Sequence, residues 1–182
     1  MAITQDTLDA LIRRWDLVGC HSAHARVEVC IIAPKILPQF DSNAPGVIGG
    51  AETDMYYLAT ELAKDSDFGV HVIHIGDGPA WQIREHVWLW QWTGGAFALW
   101  RLMRWIDADV YMLKTFSWGV PWVWLWCRLN GKKFVYRMAH DWEVDGTFRH
   151  KRPILHWLFR SCLERSDVVL FQTQKQKRLY NG

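Results

Sequence analysis

The chain has 182 residues, of which half are apolar and 22% are charged, and its formal net charge is +2. This length suits one domain with a sizeable core, and so small a net charge gives no reason to expect nucleic acid as a partner. Thirteen tryptophans are unusual for this length. Each buried indole N–H needs a hydrogen-bonding partner, so some of them are expected at an interface.

Residues 1–25 are predicted to be a leader ahead of the first regular element. Leu8, Leu11, Ile12 and Trp15 recur at helical spacing, which predicts a short amphipathic helix. We expect this helix to pack on the domain, and docking on a membrane or a partner is the alternative.

From residue 26 onward, short apolar strands alternate with helices. Six strands are predicted, at 27–33, 70–75, 86–92, 109–113, 134–138 and 168–171. Apolar residues at helical spacing predict helices beginning near Ala51, Phe97, Ser117 and Pro153, and a last helix begins near the end of the chain. Continuous apolar strands joined by helices indicate right-handed β-α-β crossovers. We therefore predict an α/β fold over residues 26–182, a doubly wound parallel sheet of the Rossmann-like kind.

Ligands bind such sheets beyond the carboxyl ends of the strands, and the first of these loops ends in Gly49 and Gly50 directly before a helix. Paired glycines let the backbone approach a ligand, and the start of a helix offers unpaired N–H groups, which together would cradle a diphosphate. A flexible loop whose glycines only turn the chain is the alternative. Glu52 falls in the first helical turn, where the helix dipole stabilises a carboxylate without any ligand. Neither G-x-G-x-x-G nor a Walker motif is present, which argues against an ordinary dinucleotide or ATP site.

The fifth predicted strand runs into His140 and Asp141, with Glu143 and Asp145 just beyond. An imidazole beside a carboxylate at this edge suits polar contacts to a sugar, and the carboxylates could bind hydroxyls or a cation. A structural histidine with satisfied hydrogen bonds is the alternative.

Metal binding is not expected. His71 and His74 share one strand but lie three residues apart, so their side chains should point to opposite faces. Cys20, His21 and His24 lie in the leader without an obvious fourth ligand. The four cysteines form no C-x-x-C pair and no secretory signal is present, so free thiols in a reducing cytosol are expected.

Two basic stretches follow, at residues 149–165 and 175–178. A solvated face is the simpler interpretation, and docking on anionic lipid headgroups is the alternative. No apolar run reaches the roughly 20 residues that cross a bilayer. We expect a cytoplasmic protein whose membrane contact is at most peripheral.

Four motifs together resemble the amino-terminal domain of family-4 glycosyltransferases, over roughly residues 26–182. They are G-G-A-E with the helix D-M-Y-Y-L-A-T-E-L-A-K, then D-A-D-V-Y, K-K-F-V-Y-R-M-A-H-D-W-E-V-D-G and S-D-V-V-L-F-Q-T-Q-K-Q. The resemblance implies a GT-B architecture, in which two Rossmann-like domains face each other across a cleft. It also implies retaining transfer from a nucleotide-sugar co-substrate to a glycan or lipid acceptor, without a cofactor or bound metal.

The resemblance also implies roles for individual residues, assigned by their matching positions in these motifs. His140 would contact the donor sugar as the catalytic residue, and Asp141 would border the same pocket. Gly49 and Gly50 would lie against the donor diphosphate and the acceptor, and Glu52 also matches the motif, although we expect a structural role for it.

Two departures from the family pattern limit the expected activity. The chain reads Leu113-Lys114-Thr115 where the family often has a histidine, and it stops at Gly182 without the paired-glutamate motif of the carboxyl-terminal, donor-binding domain. We therefore expect an amino-terminal half that is inactive by itself. A non-catalytic Rossmann-like module that binds a sugar or a partner protein is the alternative. An oxidoreductase is disfavoured, because Asp77 alone stands where a ribose-binding acid would be needed.

Overall fold

The computed structural model describes residues 27–46, 49–76, 80–145, 147 and 153–181. Its strands are β1 (Val27–Ile32), β2 (Phe68–His74), β3 (Trp81–Arg84), β4 (Val87–Gln91), β5 (Val110–Lys114), β6 (Lys133–Arg137) and β7 (Val168–Leu170). Its helices are α1 (Leu37–Phe40), α2 (Gly50–Leu62), α3 (Ala96–Ile106), α4 (Gly119–Asn130), α5 (Pro153–Glu164) and α6 (Gln174–Asn181).

The seven strands form one sheet in the order β3-β4-β2-β1-β5-β6-β7. β1 lies at its centre and pairs in parallel with β2 on one side and β5 on the other. The pairs β2–β4, β5–β6 and β6–β7 are also parallel, whereas β3 and β4 form an antiparallel hairpin at one edge. The predicted parallel α/β sheet is confirmed, with an antiparallel edge strand added to it.

The sheet is covered on both faces, as a doubly wound fold requires. Alternate strand residues such as Cys30, Ile73 and Tyr111 pack in a core with α3, α4 and α5. Their neighbours, such as Ile31 and Val72, pack in a second core with α1 and α2. Strands buried on both faces therefore account for the continuous apolar runs in the sequence.

All six predicted strands are present within one or two residues of their expected bounds, but β3 was missed. Its sequence, Trp81-Gln82-Ile83-Arg84, is short and half exposed. The turn that follows has Glu85 and His86 at φ values of 50° and 65°, positions where a glycine or asparagine would normally indicate a hairpin.

The predicted leader helix lies outside the described residues. Within the described ranges, no helix is both long enough and apolar enough to cross a bilayer.

Polar side chains are buried beside the central strand. The His71 Nε2 atom lies 2.9 Å from Glu28 on β1, and the Trp90 indole N–H donates to His71 Nδ1 at 3.1 Å. Because Nδ1 accepts, the Nε2 atom carries the proton that is shared with Glu28. His71 and His74 lie three residues apart on β2, so their side chains point to opposite faces of the sheet.

Gly69 is expected to be essential for stability, because a Cβ at this position would overlap the Glu28 carboxylate that His71 holds in place. We predict that Gly69→Ala lowers the free energy of unfolding by about 1–3 kcal/mol, the usual cost of overpacking a core. Urea denaturation measures this. Gly50→Ala is the control, since no atom lies within 4 Å of its added Cβ, and it should be neutral or slightly stabilising. Equal effects of the two substitutions would contradict the prediction.

Candidate functional site

The order of the strands creates a crevice at the centre of the sheet. From β1 the chain moves outward to β2 and β4, then returns to β5 on the other side of β1. The connections after β1 and β5 therefore leave in opposite directions, and open α/β sheets bind their ligands at such a switch point. A cavity of about 480 Å³ lies there.

The cavity is lined by the loops that follow β1 and β5 and by the starts of α2 and α4. The polar side chains among its lining residues are Lys35, Glu52, Lys114, Thr115 and Ser117. Trp92, Phe116 and Trp118 provide aromatic surface. This combination of apolar walls and a few convergent polar groups is typical of small-molecule sites.

The predicted glycine pair lies at the start of α2. Gly49 is the N-cap and Gly50 is the first helical residue, while Glu52 in the first turn lines the cavity. The backbone of Gly49 is extended, at φ −104° and ψ 161°, so this conformation does not itself demand glycine. A Cβ on Gly49 would instead lie 2.5 Å from Glu52 Oε2. Gly49 thus permits the Glu52 carboxylate to fold back over the N-cap.

A charged cluster that the sequence did not reveal joins α2 to the ends of β5 and β6. Asp54 accepts from Lys114 Nζ at 2.7 Å, and both of its oxygens accept from the Arg137 guanidinium, at 2.8 Å for Nη2. Lys114 and Arg137 are paired neighbours in the sheet register. One carboxylate therefore holds two cations side by side at the carboxyl edge of the sheet, an arrangement called here the Asp54 clamp.

The electrostatics of Asp54 follow from these contacts. Partial burial alone would raise the pKa of its carboxyl, but the hydrogen bonds and charges of Arg137 and Lys114 outweigh that effect and lower the pKa below its usual value. The Lys114 side chain is only 5% exposed and lines the cavity. With the Gln172 amide oriented to satisfy both of its neighbours, its oxygen accepts from Lys114 Nζ at 3.0 Å. The clamp thus fixes the Lys114 ammonium at the wall of the cavity.

His140 and Asp141 follow β6 at the same edge but do not line the cavity. His140 is exposed, precedes a short 3₁₀ turn at Asp141–Glu143, and stacks on Trp142 with ring centroids 5.6 Å apart. Asp141 pairs with Lys175 of α6 at 2.7 Å, and this hydrogen bond lowers the pKa of Asp141. Of the predicted site residues, Glu52 therefore lines the cavity, whereas Gly49, Gly50, His140 and Asp141 do not.

Glu143 and Asp145 have structural contacts. Glu143 is buried and accepts from the Tyr136 hydroxyl at 2.9 Å, and burial raises the pKa of Glu143. Asp145 accepts from the backbone N–H of Thr147 at 2.8 Å. In the described part of the chain, no three His, Cys, Asp or Glu side chains are grouped so that they could hold a metal ion. Cys20, His21 and His24 lie outside that part.

One feature of the sequence could have predicted the Asp54 clamp. β5 and β6 both end in a basic residue, and neighbouring parallel strands in register bring such residues together. Two adjacent cations at a partly buried edge need a carboxylate, and α2 offers Asp54 one turn beyond Gly50.

Comparisons with known proteins support the fold and the motifs. The model of Glycosyltransferase Family 4 matches residues 48–182, which is most of the chain. A solved structure assigned as a UDP-N-acetylglucosamine 2-epimerase from Listeria monocytogenes is similar over 86% of this chain, with a TM-score of 0.53 and 10% sequence identity. The chain spans 42% of the length of that structure, and at this identity the similarity concerns the fold alone. A search of curated proteins found no significant match.

Replacing Asp54 by asparagine should destabilise the protein in a pH-dependent way. Because the folded-state pKa of Asp54 is depressed, its contribution is present above the unfolded pKa of about 3.9 and is lost as the pH falls through the folded pKa. We expect Asp54→Asn to lower the free energy of unfolding by about 1–3 kcal/mol at neutral pH. The difference from the parent protein should shrink below about pH 4. Urea titrations at several pH values measure it, and a difference that does not change with pH would contradict the assignment.

Proposed function

Since the chain belongs to glycosyltransferase family 4, we propose that it forms the amino-terminal, acceptor-side domain of a retaining glycosyltransferase. In this proposal a sugar is transferred from a nucleotide-sugar donor to a glycan or lipid acceptor. The donor is bound mainly by a carboxyl-terminal domain that faces the carboxyl edge of this sheet, and no bound metal takes part. Residues 1–25 are a leader and residues 26–182 are the domain itself.

The observation that carries this proposal is the cavity at the switch point, into which the start of α2 and the Lys114 ammonium converge. The positive end of the α2 dipole lies at this wall and favours negative charge, although the Glu52 carboxylate, which folds back over the N-cap, already takes up part of this effect. Lys114, held by the Asp54 clamp, adds a fixed positive charge to the same wall. A diphosphate bound by a facing domain, or an anionic group on the acceptor, would match this charge.

We assign the donor-sugar contact to His140. Its ring is exposed at the carboxyl edge, and stacking on Trp142 fixes the plane of that ring. A group presented in this way can hydrogen-bond a sugar that approaches from a second domain. Asp141 borders the same place and keeps its negative charge through its pair with Lys175. Glu52 is assigned the structural role of covering the N-cap of α2.

Sugar transfer is proposed to require the second domain. The cavity described above lies at the carboxyl edge of the sheet, which a facing domain would cover, and orienting donor and acceptor together accounts for much of a transferase's rate. We also propose a cytoplasmic location, because Cys30, Cys127 and Cys162 are free and buried, as suits a reducing compartment.

The coding region beyond Gly182 provides the first test. We expect an in-frame second domain, or a separately encoded partner subunit, that carries paired glutamates and binds a nucleotide-sugar. A stop codon with no partner subunit would overturn the transferase proposal in favour of a non-catalytic module that binds a sugar or a partner.

In the two-domain enzyme, His140→Ala should lower kcat/KM by about 10²- to 10³-fold, the usual effect of removing one group that stabilises developing charge. The unfolding midpoint should not change, because His140 is exposed. His86→Ala is the matched control. His86 is also exposed, but it lies in the β3–β4 turn at the opposite edge of the sheet. Unchanged turnover in His140→Ala would remove this residue from the site.

A further inference from the structure

The Asp54 clamp carries more positive than negative charge. One carboxylate faces two cations, Lys114 and Arg137, so the three groups together retain one positive charge. Lys35 and Glu52, which also line the cavity, have opposite charges and leave this surplus unchanged. The surplus is largely withdrawn from water, because the Lys114 side chain is only 5% exposed and the Arg137 side chain 23%. A partly buried charge without a matching counter-ion is unfavourable, so a ligand that brings one negative charge would be stabilised here.

One N–H group of the Lys114 ammonium is available to such a ligand. An ammonium can donate three hydrogen bonds. Asp54 accepts one of them at 2.7 Å, and Gln172, with its amide oriented to satisfy both neighbours, accepts another at 3.0 Å. Among the described residues Lys114 has no third acceptor, and it lines the cavity. The clamp therefore fixes the position of Lys114 and leaves it one hydrogen bond to donate.

The residue that follows Lys114 has a backbone conformation that its side chain disfavours. Thr115 has a φ value of 72°, in the left-handed region that β-branched residues rarely adopt and that glycine adopts without strain. Thr115 lines the cavity, and within the described part of the chain its hydroxyl has no hydrogen-bonding partner. Strained residues of this kind occur preferentially at ligand sites, where the side chain serves in binding. The loop after β5 thus presents a hydroxyl group directly after the Lys114 ammonium.

Other lining residues of the cavity suit a sugar ring. Trp92 and Trp118 provide indole rings, whose electron-rich faces attract the C–H groups of a pyranose. Ser117 Oγ accepts from the backbone N–H of Gly119 at 3.2 Å, so its own proton can still be donated to a ligand hydroxyl. The volume of about 480 Å³ lies in the range of small-molecule sites and accommodates a ligand the size of a monosaccharide or disaccharide.

We propose that the cavity binds a hexuronate unit, a sugar ring with one carboxylate, and that Lys114 contacts this carboxylate while Thr115 hydrogen-bonds the same unit. One carboxylate matches the single surplus charge of the clamp. A phosphate monoester would exceed it, since such a group carries a charge of about −1.5 to −2 at neutral pH. A neutral sugar would leave the charge of the clamp without a counter-ion.

The hexuronate would be part of the acceptor, because the donor is assigned to the second domain. That the ligand is a sugar and serves as the acceptor rests on the function proposed above. The preference for one negative charge does not, since it follows from Lys114, Arg137 and Asp54 alone.

Isothermal titration calorimetry of the 182-residue chain tests the proposal without a nucleotide-sugar. The ligands are glucuronate, galacturonate and mannuronate, each compared with its neutral hexose and with the corresponding hexose 6-phosphate. At least one hexuronate should bind with a Kd at least about tenfold lower than that of its hexose, the effect of one charge-assisted hydrogen bond. The same hexuronate should also bind more tightly than the 6-phosphate. The proposal is overturned if no hexuronate binds better than its hexose, or if the 6-phosphate binds best.

Lys114→Gln should remove this preference. The Kd of the preferred hexuronate should rise at least about tenfold, whereas that of the neutral hexose should change less than about twofold. Lys132→Gln is the matched control, because the Lys132 ammonium is also largely buried and pairs with Asp107 at 2.8 Å, but lies at the start of β6 on the opposite edge of the sheet. The control should bind as the parent does. An equal loss in both variants, or an unchanged preference in Lys114→Gln, would contradict the role of Lys114.

Thr115→Gly tests the strained position and keeps the charge of Lys114. Because glycine adopts this conformation without strain, the thermal unfolding midpoint should rise by about 2–4 °C. The Kd of the hexuronate should nevertheless rise about fivefold, since one hydrogen bond is lost. A higher midpoint with unchanged hexuronate binding would remove Thr115 from the site.

Transfer assays with the two-domain enzyme separate this inference from the proposed function. Transfer to a neutral acceptor, together with no preference for a hexuronate in calorimetry, would overturn the inference and leave the function intact. Selective hexuronate binding by an enzyme that transfers no sugar would support the charge preference of the cavity and count against the transferase.

Discussion

The parallel pairing of β1 with both β2 and β5 is the constraint on which the rest of the structure depends. The right-handed crossover from β1 to β2 places α2 on one face of the sheet. The crossovers in the other direction, from β4 to β5, β5 to β6 and β6 to β7, place α3, α4 and α5 on the opposite face. The same reversal separates the loops after β1 and β5, and so opens the cavity. One choice of strand order thus sets the two cores, the two helical layers and the position of the site.

The site then depends on how charge is arranged at that edge. Two strands end in cations, and burying them without a counter-ion would be costly. Asp54 provides this counter-ion from α2, the helix whose residues Ala51 and Glu52 line the cavity. The contact that neutralises Lys114 and Arg137 therefore also holds the start of α2 at the wall of the cavity. Fold stability and site geometry share one group of side chains.

Much of this could be predicted from the sequence, and the exceptions have physical causes. Continuous apolar runs gave the central strands, because a strand buried on both faces needs apolar residues at every position. β3 was missed because Glu85 and His86 adopt a left-handed conformation in its turn, which their residue types do not predict. The Asp54 clamp was missed because it joins residues 60 and 83 positions apart, and only the strand order brings them together. His140 was expected at a strand end and lies there. Its stacking on Trp142, however, depends on the conformation of the loop, which places the ring beside the cavity and not within it.

The Asp54 clamp also restricts the order in which Asp54, Lys114 and Arg137 can be substituted during evolution. If Lys114 or Arg137 is replaced first by a neutral residue, Asp54 still has the other cation as its partner. If Asp54 is replaced first, two neighbouring cations lose their shared counter-ion at once. Among proteins descended from this chain, we therefore expect Asp54 to be substituted only after Lys114 and Arg137. A chain that retains both cations without this carboxylate should have acquired an acidic residue at another position of the same edge.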